Sequence, residues 1–226
     1  MNLAIIPARG GSKRILKKNI RPFQGQPIIS YAINAALQSN LFDRIIVSTD
    51  DKEIASLSQA LGADIPFLRP KKISDDYTST IAVVEHALNF FIASGFEYKR
   101  ICCIYPCTPF ITSDDLRDSY NLMESHKSES CIPVIEFDSA PQRGFKIKPD
   151  GKLDWLYPAY KNERTQDIDR AYHDIGAFYW ATQSKWLSGD ISDGSAYLFD
   201  RNRAVDIDTE EDWKRAETIH KLITLT

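Results

Sequence analysis

The chain has 226 residues, of which 43% are hydrophobic, and 28 basic and 31 acidic side chains give it a formal net charge of −3. This length fits one large domain, or one domain with an insertion, and the apolar content is ample for a core. The weak acidic balance argues against a nucleic-acid-binding protein, and no apolar run approaches the roughly 18 residues that a membrane span needs.

Short apolar runs alternate with amphipathic segments over the first 137 residues. The apolar runs are typical of buried strands and cover residues 2–7, 44–49, 65–68, 100–105 and 130–137. Apolar side chains at helical spacing predict helices over 27–40, 52–61, 79–93 and 112–126. This alternation predicts an α/β fold with a mainly parallel sheet that helices cover on both faces. Ligands bind such sheets at the carboxyl ends of the strands, so residues 9–19, 50–51 and 106–110 should share one rim and one crevice.

The loop after the first strand is rich in glycine and basic side chains. It reads Ala8-Arg9-Gly10-Gly11-Ser12-Lys13, and its six cations are Arg9, Lys13, Arg14, Lys17, Lys18 and Arg21. Glycines permit backbone conformations and close approaches that other residues do not, and successive N–H groups in such turns bind anions. The spacing is neither that of a P-loop nor that of the dinucleotide fingerprint. The loop therefore predicts a polyphosphate site, with a plain connection and a solvated basic face as alternatives.

The regular alternation stops after residue 139. Residues 145–148 and 153–156 flank Pro149-Asp150-Gly151, which predicts a hairpin, and residues 157–174 are polar, irregular and rich in aromatics. We interpret residues 140–174 as a lobe inserted in a single domain of residues 1–226, suited either to closing over a substrate or to pairing subunits. Strands are predicted over 175–180, 196–199 and 203–207, and a last helix over 210–222.

Two aspartates stand at the junction between the last predicted strand and the last helix. Alternate side chains of a strand share a face, so Asp206 and Asp208 are expected to point the same way. Two carboxylates at a strand end can hold Mg²⁺, which keeps several waters and also binds substrate phosphates. The alternative is that Asp208 or Thr209 only caps the helix, which leaves Asp206 unexplained.

The four cysteines form no C-x-x-C pair, and Cys102 and Cys103 are adjacent in an apolar run. Buried thiols are expected for this pair. The N-terminus lacks the layout of a signal peptide. These features predict a cytoplasmic enzyme with reduced cysteines.

Four motifs together resemble one enzyme family. They are IIPARGGSKRI..KN at the start, VSTDD..IA after the second strand, FLRP...SDD.T, and VDIDTEEDW near the end. In this order and over nearly the whole chain, they resemble the CMP-sialic acid synthetases, which make CMP-activated nonulosonic acids. The resemblance implies a Rossmann-like nucleotidyltransferase fold with a small dimerisation lobe, a homodimer, and CTP and a nonulosonic acid sugar as substrates with Mg²⁺ as cofactor.

The resemblance also implies a role for individual residues. The nucleotide-binding positions are Ala8, Arg9, Gly10, Gly11, Ser12, Lys13, Asn19, Arg69, Asp76, Thr78 and Thr80, with Arg69 near the cytosine or the phosphates of CTP. Arg9 and Lys18 would hold the triphosphate and, with the magnesium ligands Asp206 and Asp208, form the catalytic set. The sugar-binding positions are Thr108, Pro109, Arg143, Lys146, Arg164, Tyr172 and His173.

Three departures from the sialic acid enzymes bear on the acceptor. Leu16 replaces a proline of the loop, residues 105–109 replace a glutamine-containing segment, and Tyr172-His173 replaces an arginine-containing pair. The last two, with the SKRI form of the loop, favour pseudaminic acid over N-acetylneuraminic acid. Legionaminic and 3-deoxy-manno-octulosonic acids stay alternatives, as do transfer to a sugar phosphate and a CTP-binding sensor module without turnover. His173 is interpreted as a structural histidine rather than a catalytic base.

Overall fold

The computed structural model describes residues 1–224. The first strand lies inside its main sheet. This strand is β1 (Asn2–Pro7), and its side chains alternate between two hydrophobic cores. Ala4 and Ile6 pack into one core, Leu3 and Ile5 into the other, and all four are fully buried. Because helices cover both faces, the strand is a continuous apolar run instead of an alternating one.

The other strands complete the main sheet and two small hairpins. They are β2 (Pro22–Phe23), β3 (Gln26–Pro27), β4 (Arg44–Ser48), β5 (Arg100–Ile104), β6 (Ser130–Glu136), β7 (Phe145–Ile147), β8 (Leu153–Trp155), β9 (Tyr172–Asp174), β10 (Phe178–Thr182) and β11 (Ser195–Leu198). The seven-stranded main sheet has the order β11-β6-β10-β5-β1-β4, with β9 also paired to β6. β4, β1 and β5 run parallel, as do β6 and β11, whereas β10 is antiparallel to both of its neighbours. The predicted α/β fold with a mainly parallel sheet is confirmed.

Helices cover the sheet on both sides. They are α1 (Ile29–Ser39), α2 (Lys52–Ala60), α3 (Thr80–Ala93), α4 (Ser113–Ser125), α5 (Gln183–Ser188) and α6 (Glu210–Thr224). Side chains of α1, α2 and α4 join the core of Ala4 and Ile6, and those of α3 and α5 join the other core. α6 packs through Trp213 on a third cluster. Among the described helices, none combines the length and the apolar character needed to cross a lipid bilayer.

Two predicted strands are wrong. Residues 65–68 form no strand: isolated bridges at Asp64 and Leu68 flank Pro66, which has no N–H to donate to a ladder. Residues 203–207 form no strand either: a 3₁₀ turn covers Arg201–Arg203, with the Asp200 side chain accepting the Asn202 N–H at 3.0 Å, and the chain then continues without regular structure to Asp208.

Three elements were not predicted from the sequence. They are the β2–β3 hairpin, α5 and β9. β9 lies in the stretch predicted to be irregular, but its residues pair with β6 from Val134 to Glu136. Short elements of two to six residues carry too few side chains to show a period, so pairing partners far along the chain decide them.

The predicted hairpin over residues 145–156 is confirmed and stands apart from the main sheet as β7 and β8. 3₁₀ turns at Pro158–Tyr160 and Thr165–Asp167 follow it, and β9 then returns the chain to the main sheet. We call residues 140–171 the hairpin segment. Phe145, Ile147, Leu153 and Leu156 in this segment are all exposed. The boundary of a separate inserted lobe at 140–174 stays a prediction.

Candidate active site

A cavity of about 420 Å³ opens at the carboxyl ends of β1 and β5. Four segments line it, between residues 7 and 19, 69 and 83, 105 and 108, and 205 and 208, together with Gly176. This is the edge at which parallel sheets bind ligands. The structure therefore brings the basic loop, the Arg69–Thr80 region and the acidic pair to one place.

The two glycines of the basic loop differ in what they do. Neither lies in the left-handed region, so backbone conformation does not require them. A Cβ atom on Gly10 would lie 2.6 Å from Asp51 Oδ2 and 2.9 Å from its Cβ, whereas one on Gly11 would meet nothing within 4 Å. Asp51 cannot move away freely, since its Oδ1 accepts the Glu53 and Ile54 N–H groups and caps α2. Gly10 is thus a close-approach position.

The acidic pair after β4 supports the loop from behind the cavity. Asp50 accepts the Gly10 N–H at 3.1 Å, and Asp51 caps α2. Neither aspartate lines the cavity, so the expectation that this pair shares the crevice is wrong. The physical reason is that the N–H groups of the loop and of α2 already satisfy these carboxylates.

Four cations of the loop form ion pairs across the cavity. Arg9 and Lys13 each approach the Asp76 carboxylate to 2.5 Å. Arg14 lies 2.9 Å and Lys18 3.4 Å from Asp208. The contacts with Lys13 and Arg9 lower the pKa of Asp76. An anion that enters the cavity meets cations whose partners are partly exposed carboxylates.

Arg69 is the most enclosed cation of the cavity, with only 3% of its side chain exposed. Its Nε donates to Ser74 Oγ at 3.1 Å, and its nearest carboxylate oxygen, on Asp50, is 4.0 Å away. Burial lowers its pKa, an effect that Asp50 opposes and Arg9 reinforces. A guanidinium has five N–H donors. The donors beyond the Ser74 bond suit an anionic ligand.

Asp206 and Asp208 both face the cavity, on either side of buried Ile207. Their common direction was predicted, but the reason is different: Ile207 packs into the cluster of Trp213 and Phe110, and no strand pleat is involved. Enclosure by the cavity walls raises the pKa of Asp206, and the neighbouring Asp208 charge raises it further. Two carboxylates that repel each other beside a cavity are a suitable donor set for a divalent cation.

This donor set fits Mg²⁺ better than a cation that needs a complete protein cage. Within residues 1–224, no group of three or more potential metal-ligating side chains comes together. Mg²⁺ commonly takes one or two carboxylates and completes its shell with waters and substrate phosphates. Asp206 and Asp208 would supply the protein ligands.

Asn19 and Cys107 connect the basic loop to the end of β5. The Asn19 amide donates to the Arg9 carbonyl at 2.8 Å, and the Cys107 thiol donates to Asn19 Oδ1 at 3.2 Å. Enclosure raises the pKa of Cys107 to about 12, so the thiol stays protonated and serves as a donor. This chain of contacts fixes the backbone at Arg9.

Tyr105 forms part of the cavity wall next to Thr80. Its hydroxyl lies 2.6 Å from Thr80 Oγ1, and its ring contacts Tyr179 edge-to-face. Tyr179 in turn donates to Asp174, which also accepts the Gly176 N–H at 2.8 Å. Burial raises the pKa of Tyr105 to about 12. A neutral phenol therefore stands in the wall, able to donate or accept a hydrogen bond.

The sequence profile of one protein family, described as cytidylyltransferase, matches residues 3–141 of this chain. This match covers more than half of the chain. The chain belongs to the cytidylyltransferase family. The matched region contains the basic loop, Arg69, Asp76 and Tyr105, whereas Asp206 and Asp208 lie beyond it.

Curated relatives of this cytidylyltransferase extend the similarity to nearly the full chain. A pseudaminic acid cytidylyltransferase of Campylobacter jejuni is 39% identical over 224 residues, which cover 98% of this chain and 97% of the relative. A CMP-N,N'-diacetyllegionaminic acid synthase of Legionella pneumophila is 31% identical, with 97% and 96% covered. An N-acylneuraminate cytidylyltransferase of Escherichia coli is 28% identical over 97% of this chain and 52% of the relative.

Solved structures share the fold of this cytidylyltransferase at low sequence identity. A CMP-2-keto-3-deoxy-manno-octonic acid synthetase complexed with CTP superposes with a TM-score of 0.62 at 17% identity, covering 99% of this chain and 85% of that structure. A 4-diphosphocytidyl-2C-methyl-D-erythritol synthase of Anaerococcus prevotii gives a TM-score of 0.63 at 13% identity, with 97% and 98% covered. These neighbours confirm the nucleotidyltransferase fold.

Most predicted nucleotide and catalytic residues of the cytidylyltransferase line the cavity. Their side chains are Arg9, Ser12, Lys13, Lys18, Asn19, Arg69, Asp76, Thr78, Thr80, Asp206 and Asp208. Ala8 is fully buried and, like Gly10 and Gly11, does not line the cavity. These three shape the loop, while the charged residues around them reach the ligand space. The assignment of all these residues to CTP stays a prediction.

The predicted sugar-binding residues are more dispersed. Thr108 lines the cavity, but Pro109, Arg143, Lys146, Arg164, Tyr172 and His173 do not. Lys146 pairs with Asp154 at 3.1 Å, and the Arg143 guanidinium lies 5.6 Å from the centroid of the Trp155 ring. The His173 ring packs on Phe137. The structure does not bring these residues to the cavity, and their contact with a sugar stays a prediction.

Sequence reasoning missed several lining residues of the cytidylyltransferase as site residues. They include Asp75 and Gly176. Gly176 has a φ of +62°, where glycine is favoured, and it turns the chain between β9 and β10 beside the cavity. The signal in the sequence was a glycine inside the strand predicted over residues 175–180, which alone does not locate a site.

Proposed function

We propose that this cytidylyltransferase transfers CMP from CTP to the anomeric hydroxyl of a nine-carbon acid sugar and releases pyrophosphate. The single observation that supports this most is the cavity itself, which five cations line together with the Asp206–Asp208 pair: Arg9, Lys13, Arg14, Lys18 and Arg69. Phosphoryl transfer needs positioning and neutralisation of charge on the phosphate oxygens. A non-catalytic CTP sensor would not need the acidic pair.

In this proposal, each cavity side chain binds a different part of the nucleotide. Ser12 and Lys13, which line the cavity, bind the β- and γ-phosphates, and Arg69 holds an inner anionic part of the nucleotide. Arg9 and Lys18 stabilise the charge that develops on the α-phosphate and the leaving pyrophosphate. Asn19, held by Cys107, keeps the Arg9 backbone in place.

Asp206 and Asp208 are proposed to hold Mg²⁺. When bound, the ion would neutralise phosphate charge and lower the pKa of the attacking hydroxyl. Asp208 also approaches Lys18 and Arg14, so the carboxylate can orient these two cations toward the phosphates. Reduced buried thiols and the use of CTP make the cytoplasm the proposed site of action.

Pseudaminic acid is the proposed acceptor. The support is the 39% identity with a pseudaminic acid cytidylyltransferase over nearly the whole chain. Tyr105 also supports this acceptor. Its phenol lies in the cavity wall, in the segment that replaces the glutamine-containing segment usual in sialic acid enzymes. Legionaminic, N-acetylneuraminic and 3-deoxy-manno-octulosonic acids are the alternatives.

Pyrophosphate release with CTP and Mg²⁺ tests this proposal across the four sugar acids. We expect pseudaminic acid to give the highest kcat/KM, because the neutral phenol presents different hydrogen-bonding groups from an amide. Preference for another sugar acid would keep CMP transfer and overturn the acceptor. Saturable CTP binding without pyrophosphate release from any sugar would favour the sensor module instead.

We also propose that the hairpin segment joins two copies of this chain in a homodimer. Ile147 is 75% and Leu153 62% exposed, the two pair directly across the hairpin, and the exposed Phe145 lies on the same face. Exposed apolar patches of this kind commonly mark protein interfaces. Light scattering should give the mass of a dimer, and Ile147→Asp with Leu153→Asp should give the monomer's 25.7 kDa. The exposed Leu198→Asp, on β11, is the control. A monomeric wild-type chain would contradict the proposal.

A further inference from the structure

Arg203 holds together three parts of the molecule without lining the cavity. Its two terminal nitrogens donate to the two carboxylate oxygens of Asp115, each at 2.7 Å. One of them also donates to the Phe110 carbonyl at 3.0 Å. Arg203 therefore connects the segment after β5, the first turn of α4 and the chain that leads to Asp206.

Asp115 is a fixed partner for this arginine. It is only 2% exposed, and its Oδ2 also accepts the Thr112 N–H at 2.8 Å and the Thr112 hydroxyl at 2.7 Å. Tyr197 donates from β11 to its other oxygen at 3.1 Å. A bidentate arginine–carboxylate pair in such surroundings restrains position and direction.

The acidic segment that follows has further restraints in its middle and at its far end, where Val205 packs against the third hydrophobic cluster and Asp208 pairs with Arg14 and Lys18. Residues 204–208 form no helix or strand. At the far end, Asp212 accepts the Asp208 N–H at 3.2 Å, and in between Ile207 packs into the third hydrophobic cluster. Arg203 supplies the restraint at the near end, directly before the cavity-lining residues begin at Val205.

We propose that Arg203 is a positioning residue that sets the direction of Asp206 and Asp208 through its bidentate contact with Asp115. The proposal rests on the proposed function, since it gives these aspartates their task. Arg203 contacts neither substrate nor metal in this role. Its removal should leave CTP affinity in place and disturb the alignment of the acidic pair.

The test compares Arg203→Met with Arg201→Met. Arg201 lies in the same 3₁₀ turn, but it contacts Asp138 and the Glu136 carbonyl outside the cavity. We expect Arg203→Met to lower kcat about 10–100-fold, the loss typical when a partner that orients a metal ligand is removed. KM for CTP should stay near the wild-type value, and Arg203→Lys should restore part of kcat. Arg201→Met should behave as wild type.

Hydrogen exchange of residues 204–208 gives a readout that needs neither metal nor turnover. In Arg203→Met their amides should exchange faster than in wild type, while those of β1 keep their protection. Asp115→Asn combined with Arg203→Met removes the uncompensated buried charge and should show the same local effect in a stably folded chain.

Wild-type kcat in Arg203→Met, or unchanged exchange over residues 204–208 in both variants, would overturn the positioning role. A wild-type chain that releases no pyrophosphate with any sugar would instead defeat the proposed function. The exchange measurement would still decide whether Arg203 orders the acidic segment.

Discussion

Replacing Asp206 by asparagine should reduce kcat on the order of 10²–10³-fold, the loss typical when one group that stabilises transition-state charge is removed. Asparagine has nearly the same shape but carries no charge for Mg²⁺. The measurement is pyrophosphate release at limiting and saturating Mg²⁺ with the preferred sugar acid. Near-normal turnover of Asp206→Asn at low Mg²⁺ would contradict the metal assignment.

The same substitution should not destabilise the empty protein. Burial and Asp208 raise the pKa of Asp206, so the folded state binds its proton more tightly than the unfolded state does. The associated stability is present at low pH and is lost as pH rises through the raised pKa. At neutral pH, Asp206→Asn should therefore melt at or above the wild-type temperature, and added Mg²⁺ should stabilise only wild type. Asp193→Asn, at an exposed carboxylate that pairs with Lys185 away from the cavity, is the control and should keep normal turnover.

Replacing Arg69 by lysine should lower kcat/KM for CTP on the order of 10²–10³-fold. Lysine keeps the positive charge but lacks the planar fork that binds two oxygens of a phosphate or carboxylate. Because Arg69 is already poorly hydrated and its nearest carboxylate is 4.0 Å away, the empty variant should lose little thermal stability. The matched control is Arg44→Lys. Arg44 lies on the edge strand β4 and pairs with Asp64.

The nucleotide dependence of Arg69→Lys separates the two roles left open for this arginine. A contact with the phosphates predicts weaker inhibition by pyrophosphate and an unchanged preference for CTP over UTP. A contact with cytosine predicts a reduced preference for CTP and unchanged pyrophosphate inhibition. Wild-type kcat/KM with both nucleotides would contradict a nucleotide-binding role for Arg69.

Local chemistry allowed much of the fold to be predicted from the sequence. Continuous apolar runs predicted β1, β4, β5 and β6, because strands covered on both faces need no alternation. Helical spacing predicted a helix over residues 112–126, and the structure shows that a reciprocal capping box of Thr112 and Asp115 fixes the start of α4. In the last part of the chain, pairing between distant residues decides the structure, as for β9 on β6.

The site was predictable where charge was concentrated in one loop. Arg9, Lys13 and Lys18 needed only their position after a strand to be placed near a ligand. Asp51 was misjudged because a helix cap and a ligand-binding carboxylate have the same sequence signature after a strand. Arg203 could not be found, since its partner Asp115 lies 88 residues away.

The ion pairs across the cavity also determine how binding should respond to ionic strength. Arg9 and Lys13 already have a counter-charge in Asp76, and Arg14 and Lys18 have one in Asp208. A triphosphate must replace these carboxylates as the partner of the four cations. Its binding free energy is therefore the difference between its own attraction to the cations and that of the carboxylates. Added salt screens both sets. KM for CTP should therefore rise less steeply with salt than four unpaired cations would dictate, because the cavity exchanges one set of anions for another.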